Sequence, residues 1–233
     1  RIMQLFYSTD ISDGKIELSQ AESHHCVKVL RKSINDIIMV IDGVGNLYTT
    51  KLIDLNSEKN ILEIIETQKY YGKRENYLHI AIAPTKSMDR LEWFLEKAVE
   101  IGIDEITFIE CKNSERTKIK MERCEKVILS ATKQSLKAFL PTLNPLVKFN
   151  QFINENHFEM AKSIGYLGSE KSAFLSDYHD DKQSHLVCIG PEGDFLPTEV
   201  QMAIKKGFQC ISLGDSRLRT ETAGVVASTL INL

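Results

Sequence analysis

Three runs of β-branched and apolar residues in the first third of the chain, Ile37 to Ile41, Leu47 to Ile53 and Ile61 to Glu66, partly alternate with polar positions, as half-buried strands do. Turn-forming clusters, Asp42-Gly43-Val44-Gly45-Asn46 and Asn56 to Asn60, separate them. Short strands at that spacing predict a small barrel or sandwich. Ahead of them, Ser19 to Leu30 places Ala21, His25 and Val29 at helical spacing and predicts one short helix.

The texture changes at Tyr70-Tyr71-Gly72-Lys73-Arg74, which predicts a division into residues 1–72 and 73–233. Residues 78–83 are a near-continuous apolar run. The following helix repeats Leu91, Leu95, Ala98 and Ile101 on one face, and Gly102 suits a left-handed cap. Ile106 to Ile109 gives the next strand. Lys118 to Leu136 is amphipathic; Ser163 to Leu167, Leu186 to Ile189 and Cys210 to Leu213 read as strands, and Pro197 to Lys206 and Thr220 to Leu230 as helices. Strands alternating with helices predict a mostly parallel sheet covered on both faces, with ligands at the carboxyl ends of its strands.

Composition narrows the class. At 233 residues and 42% hydrophobic, the chain can bury one large or two modest cores. Its five cysteines are odd in number and scattered without metal-ligand spacing, against a disulfide framework or a zinc ribbon and in favour of a reducing, cytoplasmic setting. No apolar run reaches the roughly 18 residues that span a bilayer, and Arg1-Ile2-Met3-Gln4 lacks a signal-peptide pattern; Arg1 and Ile2, ahead of the first methionine, receive no role. The net charge of −3 argues against non-specific nucleic-acid binding. Residues 1–72 carry eight Lys/Arg against ten Asp/Glu, and residues 73–233 carry 21 against 22, so a basic face must come from folding.

Two loops carry the candidate chemistry, each after a predicted strand. Ile189-Gly190-Pro191-Glu192-Gly193-Asp194 enters a helix that Pro197 can start. It is either a tight strand-to-helix turn or a loop whose backbone approaches a ligand and presents a carboxylate. Leu213-Gly214-Asp215-Ser216-Arg217-Leu218-Arg219-Thr220-Glu221-Thr222-Ala223 leads into the last helix. Thr220 can cap that helix and Glu221 can favour its dipole, but capping leaves Arg217 and Arg219 unexplained; together they can hold a carboxylate, a phosphate or a developing base anion. A solvated loop is the plainer alternative.

These residues also carry a resemblance. I-G-P-E-G paired with S-L-G-x-x-x-L-R-T-E-T-A resembles the knotted methyltransferases of the SPOUT superfamily, and specifically the RsmE family, which methylates ring nitrogen 3 of a uridine in 16S ribosomal RNA. His24-His25-Cys26-Val27-Lys28-Val29-Leu30-Arg31 is similar to that family's H-H-x-x-x-V-L-R. Ala83-Pro84-Thr85-Lys86, Asp89 to Trp93, Glu96 to Gly102, and Gln134-Ser135 with Pro141 resemble its next elements in order. The chain departs from the pattern at Asp194, where the family usually has glycine, and at Lys137, where arginine is common.

The resemblance implies a PUA-like RNA-binding β-barrel over residues 1–72 and a SPOUT-type α/β methyltransferase domain with a carboxyl-terminal trefoil knot over residues 73–233. It also implies a homodimer acting on 16S rRNA or the small ribosomal subunit, with S-adenosyl-L-methionine as cofactor and no metal. Carried over by residue, it places Gly190, Glu192, Gly193, Leu213, Gly214, Leu218 and Arg219 at the cofactor, with Leu167 and Gly168 as a further wall. The uridine imide is a poor nucleophile until its proton leaves, so a base and a cation should converge on it; Glu221 is the candidate proton acceptor and Arg219 or Arg217 the anion stabiliser. Lys28, Arg31, Lys32, Lys73, Arg74, Lys86 and Arg90 are the candidate RNA contacts, the last four at or near the domain junction. His24 and His25 can equally pack and hydrogen-bond inside the small domain. Two rivals stand beside this reading. One is a nucleotide- or sugar-phosphate enzyme, for which no phosphate-loop motif is present, and the other a non-catalytic RNA-binding or ribosome-assembly factor.

Overall fold

The computed structural model describes residues 4–56, 58–155, 157, 159–168, 173–175 and 184–233; Arg1, Ile2 and Met3 lie outside that set. Contacts divide the chain into two compact units, residues 1–73 with 129–140, and residues 74–128 with 141–233.

The first unit contains β1 (Leu5–Tyr7), β2 (Ile11–Ser12), β3 (Lys15–Glu17), α1 (Gln20–His24), β4 (Ile37–Ile41), β5 (Leu47–Asp54) and β6 (Ile61–Gln68). Its sheet runs β1-β4-β5-β6-β3-β2, antiparallel except where β1 pairs with β4. Register breaks between β5 and β6 at Thr49/Thr50 and Leu52/Asp54 bend the ribbon, as bulges do. Phe6, Ile16, Leu18, Ile38, Val40, Leu52 and Leu62 fill one core. The predicted helix over Ser19 to Leu30 is two elements. Ser19 Oγ accepts from Glu22 N at 3.3 Å to start α1, and residues His25–Val29 widen into a π-helical turn that buries Cys26 and leaves Lys28 and Val29 outside. His25 packs its ring 5.7 Å from that of Phe6. A second small core holds Ala138 against Leu5, Ile41 and Leu47. There Gly45 N donates to Ala138 O at 3.0 Å and Leu140 N to Gly43 O at 2.9 Å.

The second unit contains β7 (Tyr77–Ile82), α2 (Met88–Ile101), β8 (Glu105–Glu110), the first half of α3 (Met121–Gln134), β9 (Thr142–Lys148), α4 (Phe149–Phe152), β10 (Ala161–Gly165), β11 (Ala173–Phe174), β12 (Ser184–Ile189), α5 (Pro197–Lys205), β13 (Gln209–Ser212) and α6 (Thr220–Asn232). The sheet is parallel throughout, in the order β11-β13-β10-β12-β7-β8-β9. Central strands are apolar on both faces, as the continuous runs predict: Leu78, Ile80, Ala81 and Ile82 of β7 are fully buried. Strand β9 escapes that pattern because Pro145 interrupts it; the strand lies at the sheet edge, where a missing N–H is tolerated. All five cysteines are free.

Gly102 ends α2 but not as a left-handed cap. Its backbone sits at φ 139°, ψ 114°, and a Cβ there would collide with the Arg74 guanidinium. After β12 the chain runs through α5 to β13 on the far side of β10, then returns past β12 to lay α6 against α2, β7 and β12. That return brings two distant loops together at the carboxyl end of the sheet.

Candidate active site

The strand ends β10, β12 and β13 point their following loops at one cavity of about 360 Å³. Leu167, Gly190 and Glu192 line it from the first two loops, and Leu213, Gly214, Arg217, Leu218 and Arg219 from the third. Gly168 and Gly193 stand off the wall. Ile189, Ile211, Leu213 and Leu218 make one part apolar, while Glu192, Asp194, Arg90, Arg217 and Arg219 bring charge to the rest. Such a mix suits a ligand with a flat apolar part and a polar tail.

Local geometry explains why the glycines stand where they do. A Cβ on Gly190 would lie 2.9 Å from the Phe195 ring, so a side chain there would push the loop off its strand. Gly214 has φ 135°, a region closed to other residues, and nothing lies within 4 Å of its missing Cβ. Gly190 thus lets its loop pack on Phe195, and Gly214 brings bare backbone to the cavity wall.

Asp194 occupies a left-handed position at φ 62°, which aspartate tolerates better than most residues. Its carboxylate accepts from Phe195 N at 2.8 Å and from Leu167 N at 3.4 Å, so it ties the loop after β12 to the loop after β10. Burial pushes its pKa up, against hydrogen bonds from those two amides and the nearby Arg217 charge. Asn113 donates at 3.0 Å to both Gly193 O and Asp194 O, and Glu192 Oε1 accepts from Lys86 N at 3.0 Å. The other Glu192 oxygen is buried with no hydrogen-bond partner. Sequence reasoning found Glu192 but not these braces; Asn113 and Tyr166, which also lines the cavity, carry no motif that would flag them.

Thr220 does not cap α6. The N-cap residue is Arg219, with no side-chain bond, and Thr220 Oγ1 instead donates to Gly190 O at 3.0 Å. The two predicted loops are therefore hydrogen-bonded to each other. One residue on, the Glu221 side chain is only 7% exposed; its Oε1 lies 3.7 Å from Arg90 Nε, and its Oε2 is buried without a partner. A buried carboxylate oxygen lacking a donor is costly, and such groups concentrate where a ligand completes the bonding. Arg90 and Arg219 line the cavity and also a second, shallower recess that Glu221 lines.

The remaining basic candidates are dispersed. Lys28 and Arg31 are exposed and Lys32 half-buried in the first unit, where Lys73 lies 5.6 Å from the Tyr70 ring centre. In the second unit Lys86 Nζ pairs with Glu115 at 2.8 Å. Arg74, expected among the RNA contacts, is taken up internally: it donates to Asn232 Oδ1 at 2.9 Å and Asn76 O at 3.2 Å and pairs with Asp104. Among the described residues no group of three His, Cys, Asp or Glu could hold a metal, and no helix is long and apolar enough to cross a membrane.

Comparison with known proteins places this geometry. A family model described as an RNA methyltransferase domain matches residues 73–232, and one described as an RNA methyltransferase PUA domain matches residues 18–65. The chain is 30% identical to the ribosomal RNA small subunit methyltransferase E of Buchnera aphidicola, over 92% of this chain and 86% of that protein. It is 29% identical to the protein of the same name from Mesomycoplasma hyopneumoniae, over 97% and 98%. Among solved structures, a probable rRNA-methyltransferase from Porphyromonas gingivalis superposes with a TM-score of 0.90 at 38% identity, covering 97% of this chain and 95% of that one. The ribosomal RNA small subunit methyltransferase E of Neisseria gonorrhoeae bound to S-adenosyl methionine gives 0.86 at 26% identity, with the same coverage. The fold class expected from the resemblance, a methyltransferase α/β domain with a PUA-like domain ahead of it, is borne out.

Proposed function

Because the chain belongs to the family of RNA methyltransferases that includes ribosomal RNA small subunit methyltransferase E, we propose that it methylates ring nitrogen 3 of a uridine in 16S ribosomal RNA, using S-adenosyl-L-methionine. The observation that carries the proposal is the shared wall of Arg90 and Arg219, with the glycine-cradled cavity on one side and the Glu221 recess on the other.

The cavity fits the cofactor. Ile211, Leu213 and Leu218 offer an apolar bed for an adenine, the bare backbone at Gly214 leaves room for it, and Glu192 keeps an unpartnered carboxylate oxygen for a donor. The cofactor supplies a methyl group already activated on a sulfonium, so the protein need only orient the acceptor and exclude water. Leu167 completes the walls, and Gly168 and Gly193, set off them, belong to the loops that shape the cavity. Glu221 accepts the imide proton, for which its free oxygen is suited, and Arg219 or Arg217 stabilises the resulting anion.

Residues 1–72 act as the RNA-gripping PUA-like domain and residues 73–233 as the methyltransferase domain, whose returning segment forms the knot. Lys28, Arg31, Lys32, Lys73 and Lys86 are the phosphate contacts; Arg74 is left out because its guanidinium is engaged, and Arg90 works at the acceptor side. The protein acts as a homodimer in the cytoplasm on 16S rRNA or the assembled small subunit. The test is incubation with radiolabelled S-adenosyl-L-methionine and 30S subunits from cells lacking the modification, followed by digestion and mass spectrometry. Label on uridine nitrogen 3 supports the proposal. Label on another base overturns the substrate, and no label despite measured cofactor binding leaves a non-catalytic RNA-binding factor.

A further inference from the structure

The recess beside the cofactor cavity has a composition that the methyl-transfer argument does not use in full. Asp89, Arg90 and Trp93 line it from α2, and Arg219, Glu221 and Thr222 from the start of α6. Trp93 stands one helical turn beyond Arg90 and is 43% exposed, an unusual setting for a large aromatic ring. It is the only tryptophan in the chain. Glu221, lining the same recess, has a side chain more than nine-tenths buried, one of whose oxygens has no hydrogen-bond partner, and Arg90 and Arg219 line the recess with it.

We infer that this recess is the acceptor-base site, in which a flipped uracil stacks on Trp93 and offers its imide N–H to Glu221. The proposal rests on the methyltransferase reading above and assigns a residue, Trp93, that the reading does not require. Three properties select this ligand class. A flat apolar ring accepts any base by its π-face, with a strength that alanine substitution elsewhere puts on a scale of about tenfold per base. An unpartnered carboxylate oxygen accepts from a ring N–H, which uracil presents at nitrogen 3 between two carbonyls and cytosine, whose donor is its exocyclic amine, does not. Arginine beside the carboxylate serves the carbonyl oxygens that flank the imide and takes up charge when the proton leaves. The wall shared with the cofactor cavity puts the acceptor nitrogen beside the donor, and a base must leave its stack to reach such a recess.

Because Trp93 is alone, its fluorescence reports on the recess directly. We would titrate the full-length protein, with S-adenosylhomocysteine present to prevent turnover, with hexauridylate, hexacytidylate and hexa-3-methyluridylate. The expected result is saturable quenching by hexauridylate, with the other two bound at least about fivefold more weakly, and loss of that preference in Glu221→Gln. In turnover on 30S subunits, Trp93→Ala should raise KM roughly tenfold with kcat changed less than twofold, and Trp93→Phe should restore most of the affinity. Quenching that is absent, or equal for the three oligonucleotides, overturns the inference. So does emission that responds to protein concentration alone, which would mean a second copy of the chain covers Trp93. Failure of the parent reading is distinct: it would leave the uridine-selective quenching intact while no methyl group reached any subunit.

Discussion

Replacing Thr220 by valine tests whether the returning chain and the cofactor loop are held as one piece. Thr220 is 5% exposed, and its hydroxyl is the donor to Gly190 O at 3.0 Å. Valine keeps the shape and removes the donor. Removing the donor leaves a part-buried carbonyl without its partner, a change that costs about 1–3 kcal/mol, so a loss near 2 kcal/mol is expected. Spread over a chain of this length, that lowers the melting temperature by roughly 4–8 °C. Gly190 also forms a wall of the cavity, so part of the loss should appear in cofactor affinity, with about 1.4 kcal/mol for each tenfold change. Urea denaturation and calorimetric titration with S-adenosylhomocysteine, on Thr220→Val and on a Thr220→Ser control that keeps the oxygen, separate the two shares. Wild-type stability together with wild-type affinity in Thr220→Val would refute the reasoning, since neither the fold nor the pocket would then depend on the bond.

Other perturbations probe the remaining claims. Asp194→Asn keeps an acceptor and tolerates φ 62°, so cofactor affinity should stay within about twofold. Asp194→Gly relieves the backbone but unties Leu167 and Phe195 and should weaken binding by about five- to tenfold; equal affinities for the two variants would dismiss the brace. Arg219→Ala should cut kcat by at least about tenfold while S-adenosylhomocysteine still binds, and unchanged turnover with bound cofactor would remove Arg219 from the chemistry. His79 concerns pH: burial holds its pKa down to about 4, against Glu105, which pulls it up from 3.6 Å away. The fold favours the neutral ring, so this contribution is complete above the ordinary histidine value near 6.5 and is lost as pH falls towards 4. Urea midpoints measured at pH 7 and pH 4.5 should therefore fall less in His79→Gln than in the wild type, and an identical fall in both would contradict the assignment.

The sheet of the second unit was legible because its central strands are buried on both faces and therefore read as unbroken apolar runs, as at residues 78–83. Strand β9 was hidden by Pro145, and β1 to β3 are too short to show a period. The two cofactor loops were visible as glycine and charge following strands, but their bond to each other was not. Thr220 at a helix start reads as a cap on local grounds, and only the long-range return of the chain gives its hydroxyl a different partner. Arg74 fails for the related reason that an exposed basic residue and an internally bonded one look alike until Asp104 and Asn232 are brought to it. Trp93 lies in a motif that gives it no role, because nothing in its helical phase says that it lines a recess with Glu221.

The first unit borrows residues 129–140 from far along the chain, and this sets an order of events during synthesis. When Lys73 leaves the ribosome, the cluster of Leu5, Ile41 and Leu47 still lacks Ala138, and Gly43 and Gly45 lack their backbone partners. Roughly 70 more residues must be translated, about 3–14 s at 5–20 residues per second, before the unit can close. During that interval the nascent small unit waits with an apolar edge uncovered while β7, α2 and β8 emerge behind it. A truncation at residue 73 makes that transient permanent, so the isolated amino-terminal segment should aggregate where one supplied with residues 129–140 on a linker stays in solution.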